Sequence, residues 1–107
     1  MNYHVTVQQL AVMDLHATFN WIESHSVTGA QRWYQAYLEA LQSLTQNPLN
    51  YGFANESQYL SIQVRERFFG TSSRHKYHLV YTIDGTYVRV LRLRGPGQDL
   101  LTAEEIQ

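Results

Sequence analysis

The sequence predicts an α+β domain of order β-α-α-β-β-β, with an N-terminal strand and a helical hairpin packed on one face of a mainly antiparallel four-stranded sheet. Three observations predict it. Two stretches in the first half carry apolar residues at helical spacing. Three stretches in the second half alternate apolar and polar residues. Asp84-Gly85 between the last two is a strong two-residue hairpin signal. A chain of 107 residues fits one domain, here 1–107, and a 44% share of aliphatic and aromatic residues is enough to build its core.

Each element has its own signature. Residues 3–8 alternate Tyr3, Val5 and Val7 with His4, Thr6 and Gln8, as a strand does. A helix over 10–24 places Ala11, Leu15, Thr18 and Ile22 on one face, with Asp14 and Trp21 beside it. The turn at 24–29 offers Ser26 or Thr28 as a cap for the next helix. That helix carries Ala30, Trp33, Tyr34, Tyr37, Leu38, Leu41 and Leu44 at three- and four-residue steps, and Asn47-Pro48 ends it. The short link predicts antiparallel packing of the pair. Residues 48–59 read as a connecting loop around Tyr51-Gly52. Strands are expected over 61–69, 77–83 and 87–93, with turns at 70–73 and 84–85, and Gly95-Pro96-Gly97 ends the sheet. Thr102 is placed to cap a short terminal helix.

The net charge of −1 conceals a division. Arg32 is the only Lys or Arg in residues 1–55, facing Asp14, Glu23 and Glu39. Residues 61–94 hold Arg65, Arg67, Arg74, Lys76, Arg89, Arg92 and Arg94 against Glu66 and Asp84. Two acids cannot neutralise seven cations, so this segment is expected to attract an acidic or phosphate-bearing partner. On the strand at 61–69, Ile62, Val64 and Phe68 suit the core, which puts Arg65 and Arg67 on the open face. On the last strand, Arg92 and Arg94 share a side with Val88 and Val90 while Arg89 sits with Leu91 and Leu93, unless a bulge re-aims them.

Other chemistry is sparse. Cysteine is absent, which excludes disulfides, thiolate metal sites and cysteine nucleophiles. His4, His16, His25, His75 and His78 form no HExxH pattern, and His75 and His78 fall on opposite sides of a strand, so no metal is expected. No cofactor fingerprint is present. His78 can act in proton transfer by residue type. Trp33, Tyr34 and Tyr37 read as core rather than as a ligand cage. No signal-peptide pattern opens the sequence and no apolar stretch nears the roughly 18 residues of a membrane span, so the expectation is a cytoplasmic protein without membrane contact.

Taken in order, these pieces resemble the RelE/ParE superfamily of toxins from type II toxin–antitoxin systems, also called plasmid-stabilisation proteins. Ala11, Asp14-Leu15 and Trp21-Ile22 resemble its first helix; Ala30, Arg32-Trp33, Leu41, Leu44 and Asn47-Pro48 resemble its second. Val64-Arg65-Glu66, Phe69-Gly70, the run from Tyr77 to Ile83 and that from Val88 to Leu93 resemble its meander, and Asp99-Leu100 its closing segment. The resemblance implies a growth-inhibiting toxin joined in a hetero-oligomer with a cognate antitoxin that wraps an extended, partly helical peptide around it; the Tyr and Phe content leaves open whether exposed aromatics serve a homodimer or the antitoxin groove. ParE-like members bind DNA gyrase; RelE-like members are mRNA interferases that cut messages on the ribosome. His78 follows Tyr77 where the nucleases have arginine, and their C-terminal tyrosine has no counterpart. A ParE-like binding toxin is therefore the leading expectation, with Arg65, Arg67, Arg74, Lys76, Arg89, Arg92 and Arg94 as target- or antitoxin-binding residues. The alternatives are a nuclease using Arg65, Arg67, His78 and Arg94, and a non-toxic protein-binding module.

Overall fold

A computed structural model describes residues 2–58, 60–70 and 76–96. Its elements are β1 (His4–Val7), α1 (Gln9–His25), α2 (Val27–Gln46), β2 (Arg65–Phe69), β3 (Tyr77–Asp84) and β4 (Tyr87–Arg94). The order is the expected β-α-α-β-β-β. Short 3-10 turns at Pro48–Asn50 and Asn55–Gln58 punctuate the connection from α2 to β2. The expected turn after Gly70, Arg74 and the terminal segment with Asp99-Leu100 and Thr102 lie outside the described residues.

The sheet order is β1-β4-β3-β2. β1 runs parallel to β4, while β4, β3 and β2 form an antiparallel meander. The hairpin between β3 and β4 closes one residue later than its sequence signal, since Asp84 pairs with Tyr87 and the loop is Gly85-Thr86. Gly85 has φ +62°, a left-handed conformation that only glycine adopts without strain.

The two helices meet through Ser26 alone. Its N–H donates to the Ile22 carbonyl and closes α1, and its hydroxyl accepts from the Gly29 N–H and opens α2. A Cβ on Gly29 would stand 3.1 Å from that hydroxyl oxygen, so the cap also depends on a bare position there. Asn47 donates its N–H to Ser43 as the C-cap of α2, and buried Pro48 follows.

The main core lies between the helical hairpin and one face of the sheet. Ala11, Trp33, Tyr37, Ala40 and Leu44 meet Phe69, Leu79, Tyr81, Val88, Val90 and Leu93 there. Trp33 stacks near Tyr37 and meets Tyr77 edge-on, which gives the interface an aromatic centre. Trp33 and Tyr37 are core as expected, whereas Tyr34 and Leu38 are 40% and 39% exposed. Alanine at 40 takes the inward position instead.

A second, smaller cluster of Ala54, Val64, Val80 and Leu91 lies on the opposite face. Residues 54–58 and 60–64 fold across that face, held by the Ala54 N–H on the Val64 carbonyl and by Ser57, whose hydroxyl binds both backbone groups of Val64. Thr82 donates to the Gln63 carbonyl from beneath. The expected strand over 61–69 therefore begins only at Arg65, because 61–64 are engaged in this cover. Ile62, expected in the core, is exposed. The face away from the helices is thus covered at its middle.

Tyr81 is fully buried, and its hydroxyl donates to the Pro48 carbonyl at 2.6 Å. Desolvation pushes its ionisation well above the ordinary 10.0, with Tyr37 and Tyr77 raised for the same reason. The folded chain then keeps a proton that the unfolded chain loses, so stability is full below about pH 10 and falls as pH rises beyond it. Ultraviolet titration should show Tyr81 ionising only together with alkaline unfolding. Tyr81→Phe strands a buried carbonyl and should cost about 1–3 kcal/mol in urea denaturation.

Candidate functional site

The meander alternates its side chains between the helical face and the outer face, and the pairing decides which residue goes where. Phe69 pairs with Tyr77, Arg67 with Leu79 and Arg65 with Tyr81, all on the helical side. Glu66 pairs with Val80 and Phe68 with His78 on the outer side. The two sets fall as expected, but their faces are exchanged: Arg65 and Arg67 are not on the open face. The physical reason lies at the end of α2. Arg65 Nη1 donates to the carbonyls of Tyr51 (2.6 Å) and Leu49 (3.5 Å), and its guanidinium lies 4.3 Å from the centre of the Phe53 ring. Arg67 Nε donates to the Ser43 hydroxyl at 3.1 Å, Nη1 donates to the Phe68 carbonyl, and the guanidinium covers the Tyr51 ring. Long aliphatic stems let both arginines leave the core rim and reach polar and aromatic partners.

The last strand is re-aimed by a bulge. Val80 pairs with Arg92 and Tyr81 with Val90, so Leu91 is an extra residue on β4. Before it, Val88 and Val90 face the helices; after it, Leu93 does, opposite Leu79. Arg92 and Arg94 consequently share the outer face with Arg89, away from Val88 and Val90.

These pairings assemble a polar cluster where β3 begins and β4 ends. His78 Nδ1 lies 3.0 Å from Glu66 Oε2, and Arg94 Nη2 lies 3.5 Å from the same oxygen. With Glu66 ionised, its carboxylate only accepts, so Nδ1 carries the proton and Nε2 of a neutral ring presents its lone pair. Phe68 is 42% exposed and its ring centre lies 4.4 Å from that of His78. Arg94 is only 5% exposed. Nearby, Arg67, Phe68, Phe69, Gly70 and exposed Lys76 line a hollow of about 310 Å³.

Asp14 braces this end of β4. Arg92 grips it through Nε at 2.7 Å and Nη2 at 2.9 Å, and the Leu93 N–H donates to it at 3.0 Å. β1 stops pairing with β4 at Val90, and α1 supplies the next acceptor along the strand edge through this carboxylate. Nothing in the spacing of Asp14 pointed to this role; an acid beside the inner face of a helix was the only signal.

Arg89 stands apart. It pairs in register with Thr82 and Thr6, its Nε is buried without a hydrogen-bond partner, and no carboxylate pairs with it among the described residues. Of the expected cationic surface, then, Arg65 and Arg67 serve the helical side, Arg92 meets Asp14 of α1 at the strand edge, Arg94 meets Glu66 on the outer side, and Arg89 and Lys76 have no acid partner among the described residues. Among the described residues no cluster of three metal-ligating side chains occurs and no helix is long and apolar enough to cross a membrane.

Comparison with protein-family models returns no match for this chain, and comparison with curated proteins returns no significant one.

Asp14→Asn removes the charge behind the bidentate pair and should lower stability by about 1.5–3 kcal/mol, as expected for a hydrogen bond to a charged group. Arg92→Leu alone should cost a similar amount. The double variant in a denaturation cycle should show a coupling energy well above zero.

Proposed function

We propose that this chain is the toxin of a toxin–antitoxin pair, of the RelE/ParE kind, which acts by binding a macromolecular target such as DNA gyrase and is silenced by a cognate antitoxin. The β-α-α-β-β-β order with a helical hairpin on one side of a small mixed sheet supports the type of domain. The single observation that favours binding over catalysis is the engagement of Arg65 and Arg67. Both are spent on backbone carbonyls, a serine hydroxyl and aromatic rings on the helical side. Two cations of the expected nuclease set are thereby withdrawn from any phosphate bound on the outer face.

A second reading has its own observation. His78, oriented by Glu66 and flanked by Arg94, places a proton acceptor beside a cation, two of the parts a ribosome-dependent mRNA interferase needs. The 2′-hydroxyl of RNA would give its proton to His78 Nε2 as its oxygen bonds to phosphorus, the bond from phosphorus to the 5′-oxygen would break with water supplying the proton that oxygen takes up, and Arg94 would offset the charge growing on the phosphorus oxygens. This set is smaller than the one anticipated, since it lacks Arg65 and Arg67.

Inducing the chain alone in a bacterial host should arrest growth, and harmless expression would leave the non-toxic binding module as the better reading. For the binding toxin, purified chain should inhibit supercoiling by purified gyrase, and ribosome-bound messages should stay intact. Cuts in the ribosomal A site, lost by at least about 100-fold in His78→Ala, would transfer the assignment to the interferase.

A further inference from the structure

Away from Glu66 and His78, the outer face of the sheet carries two rows of side chains across β1, β4 and β3. His4, Tyr87 and Asp84 form one row; Thr6, Arg89 and Thr82 form the next. Arg89 is half-buried, and its Nε is sealed from solvent with no hydrogen-bond partner. Among the described residues no hydrogen bond, ion pair or ring contact engages any part of its side chain. Hydroxyls flank it on both sides. Thr82 already gives its proton to the Gln63 carbonyl. Thr6, on the edge strand, is exposed and has no partner among the described residues.

We propose that Arg89 and Thr6 form a receptor for a single carboxylate, that of an acidic residue in a peptide. The site stands apart from the His78 cluster and holds whether or not the chain is a toxin. A guanidinium kept half out of water with its donors unmade destabilises a fold, and a hydrophobic residue of similar length would not. A sheet position that retains such a cation is set up for an acceptor arriving from outside.

Charge selects the class of ligand. The two rows hold one cation, Arg89, and one acid, exposed Asp84. A phosphate monoester carries about −1.5 to −2, and a nucleic acid has a charge on every phosphate, more than one cation beside an acid can offset. A carboxylate carries a single charge, and its pair of oxygens matches the fork of the Nη groups. Tyr87 is 56% exposed, with its ring centre 5.3 Å from that of His4, and gives the residues next to the acid an apolar surface.

The probe is a blocked Leu-Glu-Leu tripeptide titrated into the isotope-labelled full chain and followed by NMR. The Arg89 Nε–H and Thr6 amide signals should move saturably, with a dissociation constant on the order of 1 mM for so small a ligand. Leu-Gln-Leu should bind at least about 10-fold more weakly. Thr6→Val should weaken the Leu-Glu-Leu complex by about 2–10-fold. Arg89→Met should abolish the Thr6 shift and, having removed an unpaired cation, raise the thermal midpoint by about 2–8 °C. A lower midpoint would make Arg89 a structural residue and overturn the proposal. Shifts that do not saturate, equal binding of both peptides, or tighter binding of inorganic phosphate would do the same. The acids Asp99, Glu104 and Glu105 lie outside the described residues and are the competing occupants. With Asp99→Asn, Glu104→Gln and Glu105→Gln combined, the Arg89 Nε–H signal should stay in place. Its displacement would show that the chain supplies its own carboxylate, and the proposal would fall.

Discussion

One extra residue on the last strand governs the layout of this domain. Without the bulge, with Leu91 paired as an ordinary strand residue, the alternation on β4 would carry Leu93 to the outer face and turn Arg92 and Arg94 into the helical core. Burying two guanidinium groups among Leu79, Trp33 and Tyr37 would cost several kcal/mol each. The bulge resets the parity at the point where β1 stops pairing. Val88 and Val90 can then seal the early part of the core, Leu93 the late part, and every arginine of β4 faces outward. Leu91 itself is not exposed by this; it drops into the second cluster with Val64 and Val80.

The consequence is a division of labour between two sides of a thin sheet. On the helical side, Arg65 ties down the 3-10 turn that follows α2 by meeting the carbonyls of Leu49 and Tyr51, and Arg67 meets the Ser43 hydroxyl in the last turn of α2. On the outer side, Glu66 serves two cationic or protonatable partners with one oxygen. A basic segment that looks uniform along the chain is thus two sets of residues with different partners on the two sides of the sheet.

Much of the architecture is legible in the residues because its signals are local. The periodicity of α2, the Ser26 cap and Pro48 act within a few residues, and each lies where it was expected. The hairpin signal at Asp84-Gly85 marked the right place, though the turn itself is Gly85-Thr86. The faces of β2 and β4 were not legible, for a physical reason. Val64 and Phe69 are both apolar and both buried, but in different clusters on different sides, so hydrophobicity cannot tell which side meets the helices. Only the cover formed by 54–64, a tertiary event, gives Val64 its shelter. Likewise Tyr34 and Leu38 fit the period of α2 but lie on its outer flank, where alanines at 36 and 40 allow the helix to sit close to the sheet. Of the candidate site, His78 and Arg94 were picked out by residue type, while Asp14 showed only as an acid beside the inner face of a helix and Glu66 only as a counter-charge to the cations.

The link between α1 and α2 leaves no slack. Ser26 is at once the last donor of one helix and the first acceptor of the next. An inserted residue would split these two duties between neighbours and swing the second helix off its seat against Phe69. Natural length variation in such a chain has to be absorbed elsewhere, because one residue cannot serve both helices once they are moved apart.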